Sequence, residues 1–113
     1  MGDIKHHAII VTSWDEVLIF NANKKAIEVF EDIASVTEIT KPTINSYASF
    51  LIAPDGSKEG WDHSYQGDSL RNDFIKWLES QCYDDGSTAL EYAEVQFGDT
   101  YNINMLLRHS GSK

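Results

Sequence analysis

The residues best suited to metal chemistry are four histidines and one cysteine, and their spacing does not assemble them into a site. His6 and His7 are adjacent, and adjacent side chains of a strand point to opposite faces, so this pair is poorly placed to share one ion. His63, His109 and Cys82 stand far apart in the chain and match no zinc-ligand spacing. The sequence therefore predicts no metal and no cofactor.

Other patterns point towards catalysis or phosphate binding, and each lacks a required part. No serine of the sequence lies in a nucleophile elbow. The turn DDGS at residues 84–87 lacks the alternating ligands and final glutamate of a calcium loop. The segment PDGSK at residues 54–58 has neither P-loop spacing nor a helix directly after it. We predict a non-enzymatic protein; the open alternative is an enzyme whose residues converge only in three dimensions.

A group of aromatic and charged residues between positions 55 and 65 is the stronger functional candidate. Residues 57–67 contain two glycines and no hydrophobic period, which predicts a loop. Three ring-bearing side chains occupy alternate positions within it, and aromatic residues with a polar atom are favoured at protein interfaces. The alternative is that Trp61 covers the sheet edge as a lid. The predicted interface residues are Asp55, Lys58, Glu59, Trp61, Asp62, His63 and Tyr65.

The chain is strongly acidic, and its charge is unevenly distributed. Its 113 residues carry 18 Asp and Glu against 9 Lys and Arg, a formal net charge of −9. Residues 55–99 alone hold eleven acids against three bases. Nucleic-acid binding depends on Lys and Arg that neutralise phosphates, so this balance argues against it. The acidic surface either keeps the protein in solution or docks a partner with a basic surface.

Hydrophobic periodicity and turn residues predict six elements in the order β-α-β-α-β-β. Where the first two strands lie parallel, their crossover is expected to be right-handed. Gly98-Asp99 suits a tight turn between the last two strands. The elements are a strand over 4–12, a helix from a capping box at Ser13 to about Phe30, a strand over 47–53, a helix from Asp68 or Ser69 to about Gln81, and strands over 90–97 and 101–107.

Regularly spaced apolar residues mark the face that each element turns to the core. They predict an α+β fold of one domain, residues 1–113: a two-layer sandwich of a mostly antiparallel four-stranded sheet with both helices on one face. Ala93, Val95 and Phe97 share one side of the third strand. The core-facing sets are Leu18, Ala22, Ala26 and Val29, widened by Phe20, Ile27 and Phe30, in the first helix; Leu70, Phe74, Trp77 and Leu78 in the second; and Ala48, Phe50 and Ile52 in the second strand.

Features of cellular location are few. No apolar run approaches the roughly 20 residues of a membrane span, and the first residues lack the basic and hydrophobic regions of a signal peptide. These features predict a soluble cytoplasmic protein without membrane contacts. The lone cysteine, Cys82, fits a reducing compartment, and its expected role is packing in the core.

Four stretches carry a resemblance: HHAIIVTSWDE at residues 6–16, FLIAPDGSKEGW at residues 50–61, and the later YDDGS and EVQFGD. Together they resemble a group of small uncharacterised bacteriophage-encoded proteins, over most of the chain. The resemblance implies an accessory protein that acts in the cytoplasm of the bacterial host, and it supplies no catalytic residues. Small acidic phage proteins often inhibit or redirect a host protein, including host defence systems.

The leading hypothesis is therefore an acidic interaction protein that binds a host protein with a basic surface through its acidic face and the loop from Trp61 to Tyr65. The alternative is a protein that binds or sequesters a small nucleotide-type ligand, with Lys58, Arg71 or Arg108 on its phosphate. The scarcity of basic residues weighs against this alternative. A homodimer is a further expectation, since the last strand, residues 101–107, leaves an edge that a second copy can pair with.

Overall fold

The computed structural model describes residues 5–57, 61–98 and 105–110, and these contain four strands and two helices. The predicted order of elements is confirmed. The turn residue Asp99 and residues 101–104 of the predicted last strand lie outside the described residues. In chain order the elements are β1 (His6–Ser13), α1 (Glu16–Phe30), β2 (Ala48–Ile52), α2 (Asp62–Ser80), β3 (Glu91–Phe97) and β4 (Met105–His109).

The strands form one antiparallel sheet in the order β2-β1-β3-β4, which confirms the α+β prediction. β1 is central, because Ile9 lies opposite Ile52 of β2 on one side and Glu94 of β3 on the other. Since β1 and β2 are antiparallel, the crossover rule for parallel strands does not apply to their connection. That connection instead returns along β2 through bridges at Val36 and Thr40, and so covers this edge of the sheet.

The hydrophobic core lies between the sheet and the two helices. Phe30 of α1 and Phe74 of α2 meet edge to face, with 5.8 Å between ring centroids, an arrangement favoured by the ring quadrupoles. The predicted alternation of β2 is confirmed, since every second residue from Ala48 to Ile52 is buried. The buried cluster comprises Ile9, Val11, Ile19, Ala22, Ala26, Phe30, Ala34, Ala48, Phe50, Ile52, Phe74, Ile75, Leu78, Leu90 and Tyr92.

α1 begins two residues later than the capping-box pattern predicts. β1 extends through Ser13, and the N-cap is Asp15, whose Oδ1 accepts hydrogen bonds from the amides of Val17 and Leu18 at 3.0 and 3.1 Å. A hydrogen bond from the Tyr83 hydroxyl, 2.6 Å from Asp15 Oδ2, and the bonds from these amides lower the pKa of Asp15. The cap therefore also ties the start of α1 to the turn after α2.

α1 has two apolar stripes, and the prediction that Phe20 and Ile27 face the core is wrong. Their exposed fractions are 55% and 54%. These residues are seven positions apart and so share one helical face, which is exposed. Hydrophobic periodicity alone does not show which of the two apolar faces packs against the sheet. The residues that α1 buries are Ile19, Ala22, Ala26 and Phe30, with Leu18 and Val29 packed partly against the core.

β3 turns its polar side towards the helices. Ala93, Val95 and Phe97 share one side, as predicted, but that side is the outer face of the sheet. Tyr92 and Glu94 are buried on the helix side, 7% and 3% exposed. A buried carboxylate costs free energy unless a cation neutralises it, so the orientation of β3 depends on a partner from another element.

Cys82 is exposed in the connection that follows α2, so the expected packing role is wrong. The buried stripe of α2 ends at Leu78 and the helix itself at Ser80. Cys82 therefore follows the last turn that the core can cover, and its Sγ lies 3.5 Å from the Glu79 carbonyl oxygen.

Candidate functional site

The predicted interface lies at the start of α2, which begins six residues before the expected cap at Asp68. Residues 62–67 are therefore helical, and the prediction of a loop there is wrong. The N-cap is Trp61, whose side chain makes no capping hydrogen bond. Because capping oxygens are the main sequence signal of a helix start, this start leaves no such signal.

Small and polar residues extend the buried stripe of α2 towards its N-terminus. Ser64, Gly67 and Arg71 are buried at spacings of three and four residues, in line with Phe74 and Leu78. The predicted Phe74 and Leu78 are thus confirmed as core residues, while Leu70 and Trp77 are partly buried. The helical period is present in residues 62–71, but hydrophobicity does not reveal it because the buried positions are not apolar.

Arg71 is the centre of a buried ion-pair network. It is 2% exposed, and its guanidinium donates to Asp55 Oδ2 at 3.2 Å and to Asp68 Oδ1 at 2.5 Å. The other oxygen of Asp55 accepts the amide and the hydroxyl of Ser57 at 2.8 and 2.6 Å. Asp55, a predicted interface residue, is therefore an anchor that joins the turn after β2 to α2.

Gly67 leaves space for this ion pair, so we expect an alanine at this position to destabilise the fold, the reverse of its usual effect in a helix. A Cβ at this position would overlap Asp55 Oδ2 and lie 3.2 Å from Arg71 Nη1. Exchanging glycine for alanine inside a helix normally stabilises by about 0.5–1 kcal/mol. Here we expect Gly67→Ala to lower the free energy of unfolding, measured by urea denaturation. The exposed neighbour Ser69→Ala serves as control and should be neutral or slightly stabilising; a Gly67→Ala protein more stable than the native chain would contradict the packing described.

The ionisation of Asp55 predicts how stability depends on pH. Burial by itself raises the pKa of Asp55, but hydrogen bonds from Ser57 and the Arg71 guanidinium outweigh it, so the pKa lies below the ordinary 3.8. A lowered folded-state pKa contributes stability that is full above 3.8 and is lost as the pH falls through the folded value. We expect Asp55→Asn to be less stable than the native chain near neutral pH, and the two urea midpoints to converge as the pH falls below 3.8. A difference between the two urea midpoints that stays the same at every pH would show that the ionisation of Asp55 contributes nothing to stability.

Two of the predicted aromatic residues share an exposed face. Trp61 and Tyr65 are 52% and 63% exposed and are four residues apart at the helix start, a spacing that places side chains side by side. Asp62 lies between them in the chain and is also exposed, in the first turn, where the helix dipole favours negative charge. The structure thus brings together Trp61, Asp62 and Tyr65, which we call the aromatic turn.

The remaining predicted interface residues do not join the aromatic turn. His63 turns inwards, with Nε2 3.2 Å from the carbonyl oxygen of Ile33, because alternate residues of a helix point about 200° apart. His63 therefore does not share the exposed face of Trp61 and Tyr65. Lys58 and Glu59 lie outside the described residues.

A polar cavity of about 290 Å³ lies between α2 and strands β1, β3 and β4. Its buried acid, Glu94, accepts two hydrogen bonds from one edge of the Arg108 guanidinium, with Nε at 2.6 Å and Nη2 at 3.1 Å from the two carboxylate oxygens. Arg108 Nη1 also donates to Asn72 Oδ1 of α2 at 3.0 Å. This pair neutralises the acid that β3 buries. The cavity is lined by His7, Asp68, Arg71, Glu94, Leu107 and Arg108.

The charged groups of this cavity are occupied by one another. The Glu94 carboxylate, through its hydrogen bonds, raises the pKa of Arg108. Burial and a hydrogen bond to Glu79, 2.7 Å from the hydroxyl, raise the pKa of Tyr92 to about 12. Since Arg71 and Arg108 donate to carboxylates, neither presents an open guanidinium to a phosphate, which weighs against the nucleotide alternative.

A larger, mainly apolar groove of about 560 Å³ runs beside α1. Val17 and Phe20 form its helix side and are 67% and 55% exposed, while the connection before β2 forms the opposite wall. The sequence signal for it was the second apolar stripe of α1, which periodicity assigned to the core. The lining residues are Glu16, Val17, Ile19, Phe20, Ile39, Lys41, Pro42, Asn45, Ser46 and Ala48.

Comparison with known proteins adds no assignment. No family model, curated protein or solved structure matches the chain. Within residues 5–57, 61–98 and 105–110, no cluster of three or more His, Cys, Asp or Glu side chains is arranged to hold a metal ion. Neither α1 nor α2 combines the length and the apolar character that a bilayer span requires.

Proposed function

We propose that the chain is a non-enzymatic interaction protein that binds a partner through the aromatic turn. The observation that carries the proposal is the pair of rings on one helical face, Trp61 and Tyr65, both more than half exposed. A partner that covered this face would remove both rings from water together. Trp and Tyr are the residue types that most often dominate the binding energy of protein interfaces.

The charge of the surrounding surface indicates a basic partner. Asp62, Asp68 and Asp73 are exposed along α2, while the nearby cation Arg71 is buried among carboxylates. A basic surface would be drawn towards this side of the molecule, so the charges accelerate and orient encounter, and the rings supply affinity. Following the resemblance to phage-encoded proteins, the proposed partner is a host protein of the bacterial cytoplasm that this chain inhibits or redirects.

A second candidate function, binding of a small ligand, is favoured by the groove beside α1. Its volume of about 560 Å³ is within the usual range of ligand sites. The walls are mainly apolar, so this site suits an apolar ligand better than a nucleotide. Thermal-shift screening separates the two functions, because a small ligand at about 100 times its dissociation constant stabilises by about 2.7 kcal/mol.

The proposal is tested by capture from bacterial lysate with three tagged proteins in parallel: the native chain, Trp61→Ala/Tyr65→Ala, and Phe20→Ala. The Phe20 control removes an equally exposed ring from the opposite helix. We expect mass spectrometry to identify a basic protein that the native chain and the control retain and the double variant loses. Equal recovery on all three would reject the aromatic turn as the binding surface.

A further inference from the structure

The outer face of the sheet, which neither helix covers, carries large or small apolar side chains on all four strands. An antiparallel sheet with one face on a core normally carries polar residues on the other. Here Ile10 of β1, Phe97 of β3 and Leu106 of β4 are 44%, 40% and 53% exposed. The other outward residues are the apolar Ala8, Leu51, Ala93 and Val95 and the polar His6, Thr12, Ser49, Glu91 and His109.

The strand register joins these side chains into one continuous surface. Ile10 lies opposite Leu51 on one side and Ala93 on the other. Val95 lies opposite Ala8 and Leu106. A bulge in the β3–β4 pairing sets Leu106 against Val95 while Arg108 stays opposite Glu94 on the helix side. The row of Leu51, Ile10 and Ala93 ends at His109 of β4, and the adjacent row of Ala8, Val95 and Leu106 is apolar over three strands.

The same face is poor in charge, although the chain carries a net charge of −9. Among the described residues on this face, Glu91, at one end of β3, is the only carboxylate, and none is Lys or Arg. Two copies of so acidic a chain repel each other wherever their carboxylates meet. Contact between copies is therefore least opposed on the outer face of the sheet.

The dimensions of the face suit a small interface. Four strands about 4.8 Å apart, each five to eight residues long at about 3.3 Å per residue, give a face of roughly 19 by 20 Å. Two such faces cover roughly 800 Å² in flat projection, below the roughly 1,200–2,000 Å² of stable interfaces and in the range of weak, transient ones. Such an area suits a reversible dimer.

We infer that this face binds a second copy of the chain, with the two sheets packed face to face about 10 Å apart around a two-fold axis. The apolar rows are self-complementary under such an axis, and the aromatic turn of each copy lies on the helix side, away from this contact. Because the contact is apolar and the copies repel, added salt strengthens the dimer. Salt has the opposite effect on the basic-partner complex, so the two associations are tested independently.

The test is light scattering of the purified chain over a concentration series, at low and high salt. We expect the mass to rise towards twice the 12.8 kDa of one chain, and to rise further at high salt. Ile10→Glu and Leu106→Glu place a carboxylate on the face in both copies, and each should weaken the dimer at least tenfold. Ile27→Glu, on the exposed stripe of α1 and 54% exposed in the native chain, is the matched control and should dimerise as the native chain does. Circular dichroism checks that each variant is folded.

Two results would overturn the inference. A native chain that keeps the mass of one copy at every concentration and salt would show that the face is not an interface. A dimer that survives both glutamate variants would show that the copies meet elsewhere, as in pairing through the edge of β4.

Discussion

Arg71→Ala is expected to lower the free energy of unfolding by about 3–5 kcal/mol, because it leaves the carboxylate of Asp55 buried without its cation. The Arg71 and Asp55 side chains are 3% and 7% exposed, so water cannot easily replace the guanidinium. Asp68 is half exposed and can return to solvent. The measurement is the urea midpoint at neutral pH.

Two variants separate the ion pair from a general effect on α2. Lys76→Ala removes an exposed cation from the same helix and should change stability by no more than about 0.5 kcal/mol. Asp55→Leu/Arg71→Met replaces the buried pair with apolar side chains and should recover part of the loss, as buried pairs often do when both charges are removed. A single Arg71→Ala as mild as Lys76→Ala would show that the network does not stabilise the fold.

Much of the fold could be predicted because its core follows apolar periodicity. The alternation of Ala48, Phe50 and Ile52 predicts which face of β2 is buried. The stripe through Ala22, Ala26 and Phe30 has the period of a helix. In α1, however, local signals could not distinguish this stripe from the exposed one that contains Phe20 and Ile27.

Prediction failed where polar residues are buried by partners distant in the chain. Arg71 is buried because the carboxylate of Asp55 neutralises its charge, and Asp55 lies sixteen residues earlier in the chain. Glu94 faces the helices because Arg108, fourteen residues later, neutralises it. No local pattern records either pair, so both the start of α2 and the buried side of β3 required the structure.

The candidate site divides along the same line. Trp61 and Tyr65 could be recognised from residue type alone, and the structure places both on the surface. Asp55 and His63 are close to them in sequence, but Asp55 contacts Arg71 and His63 contacts the carbonyl oxygen of Ile33. Which of these side chains are exposed depends on where α2 begins, and no capping residue in the sequence marks that start.

Trp61→Ala is expected to weaken binding of the partner by about 2 kcal/mol or more, roughly thirtyfold in the dissociation constant. The ring is 52% exposed in the free chain and would lose this exposure in the complex. Tyr65→Ala should have a comparable or smaller effect, because its hydroxyl can keep contact with water at the rim. Titration calorimetry with the captured partner measures both values.

Single carboxylate variants provide the comparison for that prediction. Asp62→Asn and Asp73→Asn each remove one exposed charge from α2, and exposed pairs typically contribute about 0.2–1 kcal/mol. Their main effect should be on the association rate. If the ring variants and the carboxylate variants all lost little and equal binding free energy, the rings would not be the main source of affinity.

The central claim, that the aromatic turn is a docking surface for a basic partner, is tested most directly by one titration series. The dissociation constant of the captured partner is measured for the native chain, Trp61→Ala/Tyr65→Ala and Phe20→Ala, each at about 50 mM and about 200 mM salt. We predict that salt weakens the native complex, that the double variant loses at least thirtyfold in affinity at either salt, and that Phe20→Ala matches the native chain. Affinities that are the same for all three proteins, or that do not change with salt, would contradict the proposal.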